Sequence, residues 1–110
     1  MVTLSPLEQK ALSAFKERVL KEFQHQILSF KLFGSRARGK GNEFSDLDVL
    51  VVIRQPDWSM KRKILDLGWE CYWEYDVDIS PLVLSENEYN ELKGLERNII
   101  KDVEKFGVVL

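Results

Sequence analysis

The chain is poor in several residues that would point to particular chemistries: one cysteine, one histidine and three prolines in 110 residues. A lone Cys71 excludes an internal disulfide and fits a reducing compartment; on an apolar helix it reads as buried filler. A lone His25 excludes a histidine metal cluster and is expected on the surface near the end of the first helix. No apolar run is long enough to span a bilayer, and the polar N-terminal segment has no signal-peptide pattern, so a cytoplasmic location is expected. No Gly-x-x-x-x-Gly-Lys-Ser/Thr string occurs, which excludes a P-loop. Excess charge is also scarce. Sixteen basic against 18 acidic residues leave a net charge of −2, which gives no global pull towards nucleic acid or an anionic membrane. Repeats, low-complexity tracts and linkers are missing too, so residues 1–110 are expected to form a single domain.

What remains is a globular composition, 45% apolar and 31% charged, in a chain able to bury roughly 65% of its unfolded surface. Ser5-Pro6-Leu7-Glu8 is a capping box with proline at the first helical position. Leu12, Phe15, Val19 and Phe23 continue at helical spacing, which predicts a helix over about 5–24. Ile27 to Phe33 reads as a strand, Ser35 to Arg38 as one helical turn, and 39–44 as a loop. Asp46 to Ile53 is apolar on both faces after its aspartates, as a central, doubly covered strand would be. A helix is expected over 59–73 and a third strand over 75–84. Ser85-Glu86-Asn87-Glu88 is a second capping box, opening a helical segment that breaks at Gly94. Leu95, Ile99, Val103 and Phe106 then continue with helical period to a C-cap at Gly107. The order implies an α/β or α+β fold with a mixed sheet. Trp58, Trp69 and Trp73 read as core or interface anchors, with core packing preferred; a partner surface formed by Trp73 with Tyr72 and Tyr75 is the alternative.

The chemistry concentrates between residues 34 and 52. Gly34-Ser35-Arg36-Ala37-Arg38-Gly39 combines two glycines, a hydroxyl and two arginines in one turn, which suits a polyphosphate. After a five-residue spacer comes Ser45-Asp46-Leu47-Asp48, at the mouth of Val49-Leu50-Val51-Val52. Residues i and i+2 of a strand point the same way, about 6.5–7 Å apart. Two carboxylates so placed can share divalent cations that lie about 3.5–4 Å apart in two-metal sites. A carboxylate inside a buried strand, as expected for Asp48, needs a metal or a positive partner. Asp76 and Asp78 are expected on one face of the third strand and compete for the place of a third acid. Arg36 is expected to pair with Glu43 or face solvent. Ser45 is expected to orient Asp46 or cap the turn.

The string Gly34-Ser35-x-Ala37-x-Gly39 … Ser45-Asp46-x-Asp48 resembles the signature of the minimal nucleotidyltransferases of the DNA polymerase β-like superfamily. The nearest likeness is to the MNT proteins paired with HEPN ribonucleases in prokaryotic toxin–antitoxin modules. The resemblance implies a nucleotidyltransferase fold, a mixed sheet with helices packed mainly on one face. It implies two Mg²⁺ ions, with Mn²⁺ as a substitute, held by Asp46, Asp48 and a third acid in a hydrophobic-Asp-hydrophobic setting. Val77-Asp78-Ile79 meets that description better than Tyr75-Asp76-Val77. It further implies that Gly34, Ser35, Arg38 and Ser45 bind the nucleotide. The activity implied is transfer of a nucleoside monophosphate, AMP from MgATP, to a hydroxyl such as a tyrosine of a HEPN partner. The competing expectations are a non-catalytic module that neutralises a partner by contact and a stand-alone transferase acting on a small molecule or RNA end.

Overall fold

A computed structural model describes residues 4–39 and 46–110. In chain order the elements are α1 (Pro6–Phe23), a 3₁₀ turn (Gln24–Gln26), β1 (Ile27–Phe33), α2 (Gly34–Ala37) and β2 (Leu47–Ile53). There follow α3 (Trp58–Tyr75), β3 (Ile79–Ser85), α4 (Glu86–Gly94), α5 (Asn98–Phe106) and the short β4 (Val108–Val109). The sheet runs β3-β2-β1-β4, with β2 and β3 parallel and β1 antiparallel to both β2 and β4. This is a mixed α/β architecture with a mixed sheet, as the order of elements implies. No helix among the described residues is long and apolar enough to cross a membrane.

Strand β2 is central because its side chains serve two cores. Leu47, Val49, Val51 and Ile53 face the larger one, with Leu12, Phe15 and Val19 of α1 and Ile64, Leu67 and Cys71 of α3. Leu50 and Val52 face the smaller one, with Leu84 of β3 and Ile100 and Val103 of α5. The two long helices thus cover one face of the sheet, and the two short ones cover part of the other. Both expected capping boxes form. Ser5 Oγ accepts the Glu8 N–H at 3.1 Å while Glu8 accepts the Ser5 N–H at 2.9 Å, and Ser85 and Glu88 repeat the pattern. His25 is exposed and Cys71 is buried, its thiol pKa pushed up by burial.

Four expectations need correction. Helix α3 runs on to Tyr75 and stops at Asp76, whose φ of 55° is the left-handed conformation that aspartate tolerates at a helix end. Strand β3 therefore starts at Ile79, so Asp76 and Asp78 do not share a strand face. The three tryptophans are not core: Trp58, Trp69 and Trp73 are 82%, 61% and 81% exposed. The buried stripe of α3 is Met60, Ile64, Leu67, Gly68 and Cys71, and helical geometry turns Trp69 and Trp73 away from it. The last helix does not take in Leu95, which caps α4; α5 begins at Asn98 and buries Ile100 and Val103, with Ile99 and Phe106 exposed. Gly107 does end α5, though with an extended backbone at φ −59°. Finally, Arg36 is buried against Glu8 instead of facing solvent.

Candidate functional site

Three aspartates line up across the ends of adjacent strands. Asp46 directly precedes β2, Asp48 is its second residue, and Asp78 directly precedes β3. The parallel register pairs Leu47 with Ile79 and Asp48 with Ser80. The Leu47 N–H donates to the Asp78 carbonyl at 2.9 Å, so Asp78 lies level with Asp46, close enough for the two carboxyls to influence each other. Asp76 lies outside this row, exposed at the end of α3. The last residue of β1, Phe33, pairs with Asp48, which brings Gly34 under the Asp48 carboxylate. A Cβ on Gly34 would lie 2.3 Å from Asp48 Oδ2, and its φ of +78° already disfavours any side chain. The turn needs glycine here on both counts.

Two ion pairs fix that turn. The Arg36 guanidinium, 6% exposed, binds Glu8 with Nη1 to Oε2 and Nη2 to Oε1, both at 2.7 Å. The bidentate pair holds the Glu8 carboxyl below its ordinary range, so the residue that closes the α1 capping box also anchors α2. On the other side, Asp102 of α5 pairs with Arg38 and accepts the Gly34 N–H at 3.2 Å. Sequence reasoning missed Asp102. It lies 68 residues from Gly34, and as one of two acidic residues alternating with lysines in its helix it reads as solvated surface. Ser35 is half-buried within α2. Ser45 and Glu43 lie outside the described residues.

The row is electrostatically uncompensated. Burial raises the Asp48 pKa, and the charges of Asp46, Asp102 and Asp78 raise it further against the opposing pull of Arg38. Asp78 is raised by burial and then by Asp46. Among the described residues no three His, Cys, Asp or Glu side chains are arranged to hold an ion unaided. Mg²⁺ does not ask for such a cage: it is held by one or two carboxylates with water and substrate phosphates. An all-oxygen donor set that carries excess negative charge suits a hard divalent cation, and the residues present fit one.

Comparisons with known proteins agree with this geometry. The family model for the nucleotidyltransferase domain matches residues 12–108. A Methanocaldococcus jannaschii chain provisionally named a protein adenylyltransferase is 32% identical over 99 residues, covering 82% of this chain and 93% of that one. A solved structure provisionally described as a minimal nucleotidyltransferase superposes with a TM-score of 0.58 at 25% identity, covering 98% and 99% of the two chains. A mutant of the MntA–HepT toxin–antitoxin complex contains the same fold, with a TM-score of 0.55 at 18% identity over 98% of this chain and 72% of that one.

Proposed function

Because the chain belongs to the nucleotidyltransferase domain family, we propose that it transfers AMP from MgATP to a hydroxyl, that of a tyrosine on a HEPN-type toxin partner, and so acts as the antitoxin. The observation that carries the reading is the Asp46–Asp48–Asp78 row with a side-chain-free Gly34 beneath Asp48. The adenylyltransferase relative and the toxin–antitoxin fold neighbour support the choice of substrate and partner.

In this reading Asp46, Asp48 and Asp78 hold the divalent ions. Two such ions, when bound, supply charge neutralisation at the α-phosphate and at the departing pyrophosphate. Ser35 and Arg38 take the triphosphate tail, with Arg38 exchanging Asp102 for phosphate and Ser45 assisting from the loop. The acceptor oxygen bonds to the α-phosphorus as the bond to the β-bridging oxygen breaks. Pyrophosphate leaves, and the hydroxyl proton passes to a carboxylate oxygen of Asp78. Asp78 lies at the mouth of β3 level with Asp46, where its carboxylate can reach a hydroxyl entering from that side. In this reading the acceptor arrives on another chain and is positioned by it.

The test is incubation of the protein with α-labelled ATP, Mg²⁺ and the product of the adjacent gene, followed by mapping of the adduct by mass spectrometry. The expected product is AMP on a tyrosine, absent with Asp48→Asn. Labelling of RNA or a small molecule instead would remove the toxin acceptor and leave nucleotidyl transfer standing. Neutralisation of the partner without any adduct would favour a binding module.

A further inference from the structure

Beyond Asp78, on the side away from Gly34, the row opens into a pocket of 190 Å³ between α3 and the outer edge of β3. Its walls include Trp69 and Tyr72 of α3 and Pro81 of β3, with Asp78 and Ser80 also lining it. Gly68 eases the junction. A Cβ there would meet Pro81 Cγ at 3.1 Å, tighter than an ordinary contact, so glycine facing the strand lets α3 lie this close to β3 without displacing Pro81. Trp69 and Tyr72 hold each other edge to face with ring centroids 5.9 Å apart, and Tyr72 does the same with Trp73 at 5.7 Å.

We propose that this pocket is the acceptor site, and that it takes a phenol ring presented by a partner protein. The inference rests on the transfer reading and deepens it. The order of parts across the sheet carries it. Gly34 and Arg38 follow β1, Asp46 and Asp48 open β2, Asp78 opens β3, and the pocket lies past β3. Phosphoryl displacement is in line, with the attacking and leaving oxygens on opposite sides of phosphorus. A tail held at Gly34–Arg38 therefore sends the attack from the β3 side, where the pocket shares Asp78 with the row.

Size and lining select the occupant. Pockets for nucleosides and drug-sized molecules run to about 300–1,000 Å³. At 190 Å³ this one suits a single side chain. Trp69, Tyr72 and Pro81 favour an aromatic body through edge and face contacts. The carboxylate of Asp78 and the hydroxyl of Ser80 require a polar tip. A ring with a hydroxyl at its end satisfies both, whereas serine or threonine would leave the aromatic wall unfilled. The exposed Trp69 and Trp73 extend that wall outward as a landing surface for the segment carrying the phenol, in keeping with the enrichment of aromatics at interface centres.

The probe is N-acetyl-tyrosinamide, with N-acetyl-serinamide as control, and two readouts are used on the full chain. In NMR titration with Mg²⁺ and a non-hydrolysable ATP analogue present, the phenol should shift the Trp69 indole N–H and the Gly68 and Ser80 amides, and the serine amide should not. In transfer assays Trp69→Ala should raise the acceptor KM about threefold to tenfold, the loss expected for one aromatic contact. Its MgATP affinity should stay where it was. Trp58→Ala, which removes a still more exposed tryptophan from the other end of α3, should behave as wild type. Transfer to the phenol with unmoved pocket signals and an unchanged KM in Trp69→Ala overturns the pocket and leaves the transfer reading intact. Pocket signals that shift while neither the free phenol nor a tyrosine of the adjacent gene's product receives AMP uphold the phenol site and overturn the transfer reading. Shifts by both amides alike overturn the selectivity for phenol.

Discussion

The two flanks of the aspartate row are built from opposite materials. On the β1 side, charge is matched and fixed: Glu8 grips Arg36, and Asp102 ties together Gly34 and Arg38. On the β3 side, a half-buried Tyr72 packs edge to face against both Trp69 and Trp73, and the two tryptophans lie largely in water. In the proposed transfer the phosphate tail is the same in every turnover, so donors gathered in advance at one turn need only exchange Asp102 for phosphate when it binds. An acceptor brought by another chain has to be recognised by surface, and aromatic rings supply large, rigid contact area. Under the proposed transfer, the difference teaches that one side is organised by this fold alone and the other is left for a second molecule.

The strongest test lies between the flanks. Asp48→Asn should reduce transfer by on the order of 10²–10³, comparable to the loss of one organising group in a reacting site. The same change should stabilise the metal-free protein by about 0.5–2 kcal/mol, because it removes charge that Asp46, Asp78 and Asp102 all repel. Paired activity and urea-denaturation measurements check it. Asp78→Asn should likewise abolish transfer with the fold intact, while Asp76→Asn, at an exposed helix end where asparagine is at home, should be mild. A more damaging Asp76 change would detach the row from the chemistry.

The next largest effect belongs to the polar flank. Arg36→Ala leaves Glu8 partly buried beside an empty space, and breaking a buried pair in this way costs about 3–5 kcal/mol. Arg36→Met, which refills the volume, should cost less. If both prove neutral in denaturant titration, the turn is not held through α1 and the contrast between a fixed and an open flank fails.

Sequence and structure agree most where the physics is local. The capping boxes, the Gly34 turn and the Asp46/Asp48 spacing depend on neighbours a few residues away, and all are found where the sequence places them. Disagreement begins where position depends on the far side of the molecule. Arg36 meets Glu8 across 28 residues, and Asp102 meets Gly34 across 68. Tyr75 and Asp76 are as compatible with a strand as with a helix end, so only packing decides where β3 begins. The tryptophans were misplaced because size and apolarity argue for burial, whereas their phase on α3 argues for exposure. Phase prevails because the smaller Ile64, Leu67 and Cys71 already fill the space beneath the helix.

Smaller effects separate the members of the polar flank. Arg38→Ala should raise the KM for MgATP about tenfold with little change in kcat, since it removes a contact made equally in the ground and transition states. Asp102→Asn should act in the opposite direction, because it withdraws a negative charge from the donors the phosphates would use. A higher KM in Asp102→Asn would instead make Asp102 a positioning residue that aims Arg38. Steady-state kinetics on the two variants and their double mutant decides between these roles.

The smallest effect is the pH dependence of the metal-free protein, and its sign distinguishes the two regions. Asp48 and Asp78 have folded pKa values raised by burial and by their acidic neighbours. Between the unfolded value and those raised values the native state holds more protons than the unfolded one, so stability falls as pH rises through this window. Glu8 works the other way. Its pKa is lowered by Arg36, so its contribution is present above the unfolded value and is lost as pH falls through the lowered one. Thermal melts across pH should therefore show a decline on the alkaline side of the carboxylate range that Asp48→Asn reduces, and an acid-side decline that Arg36→Met reduces. Saturating Mg²⁺ with nucleotide should flatten the first slope, because bound cations supply the neutralisation that protons otherwise provide, and leave the second slope unchanged. If Mg²⁺ with nucleotide altered only the acid-side slope, the ions would be engaging Glu8 and Arg36, and the aspartate row would lose its claim to them.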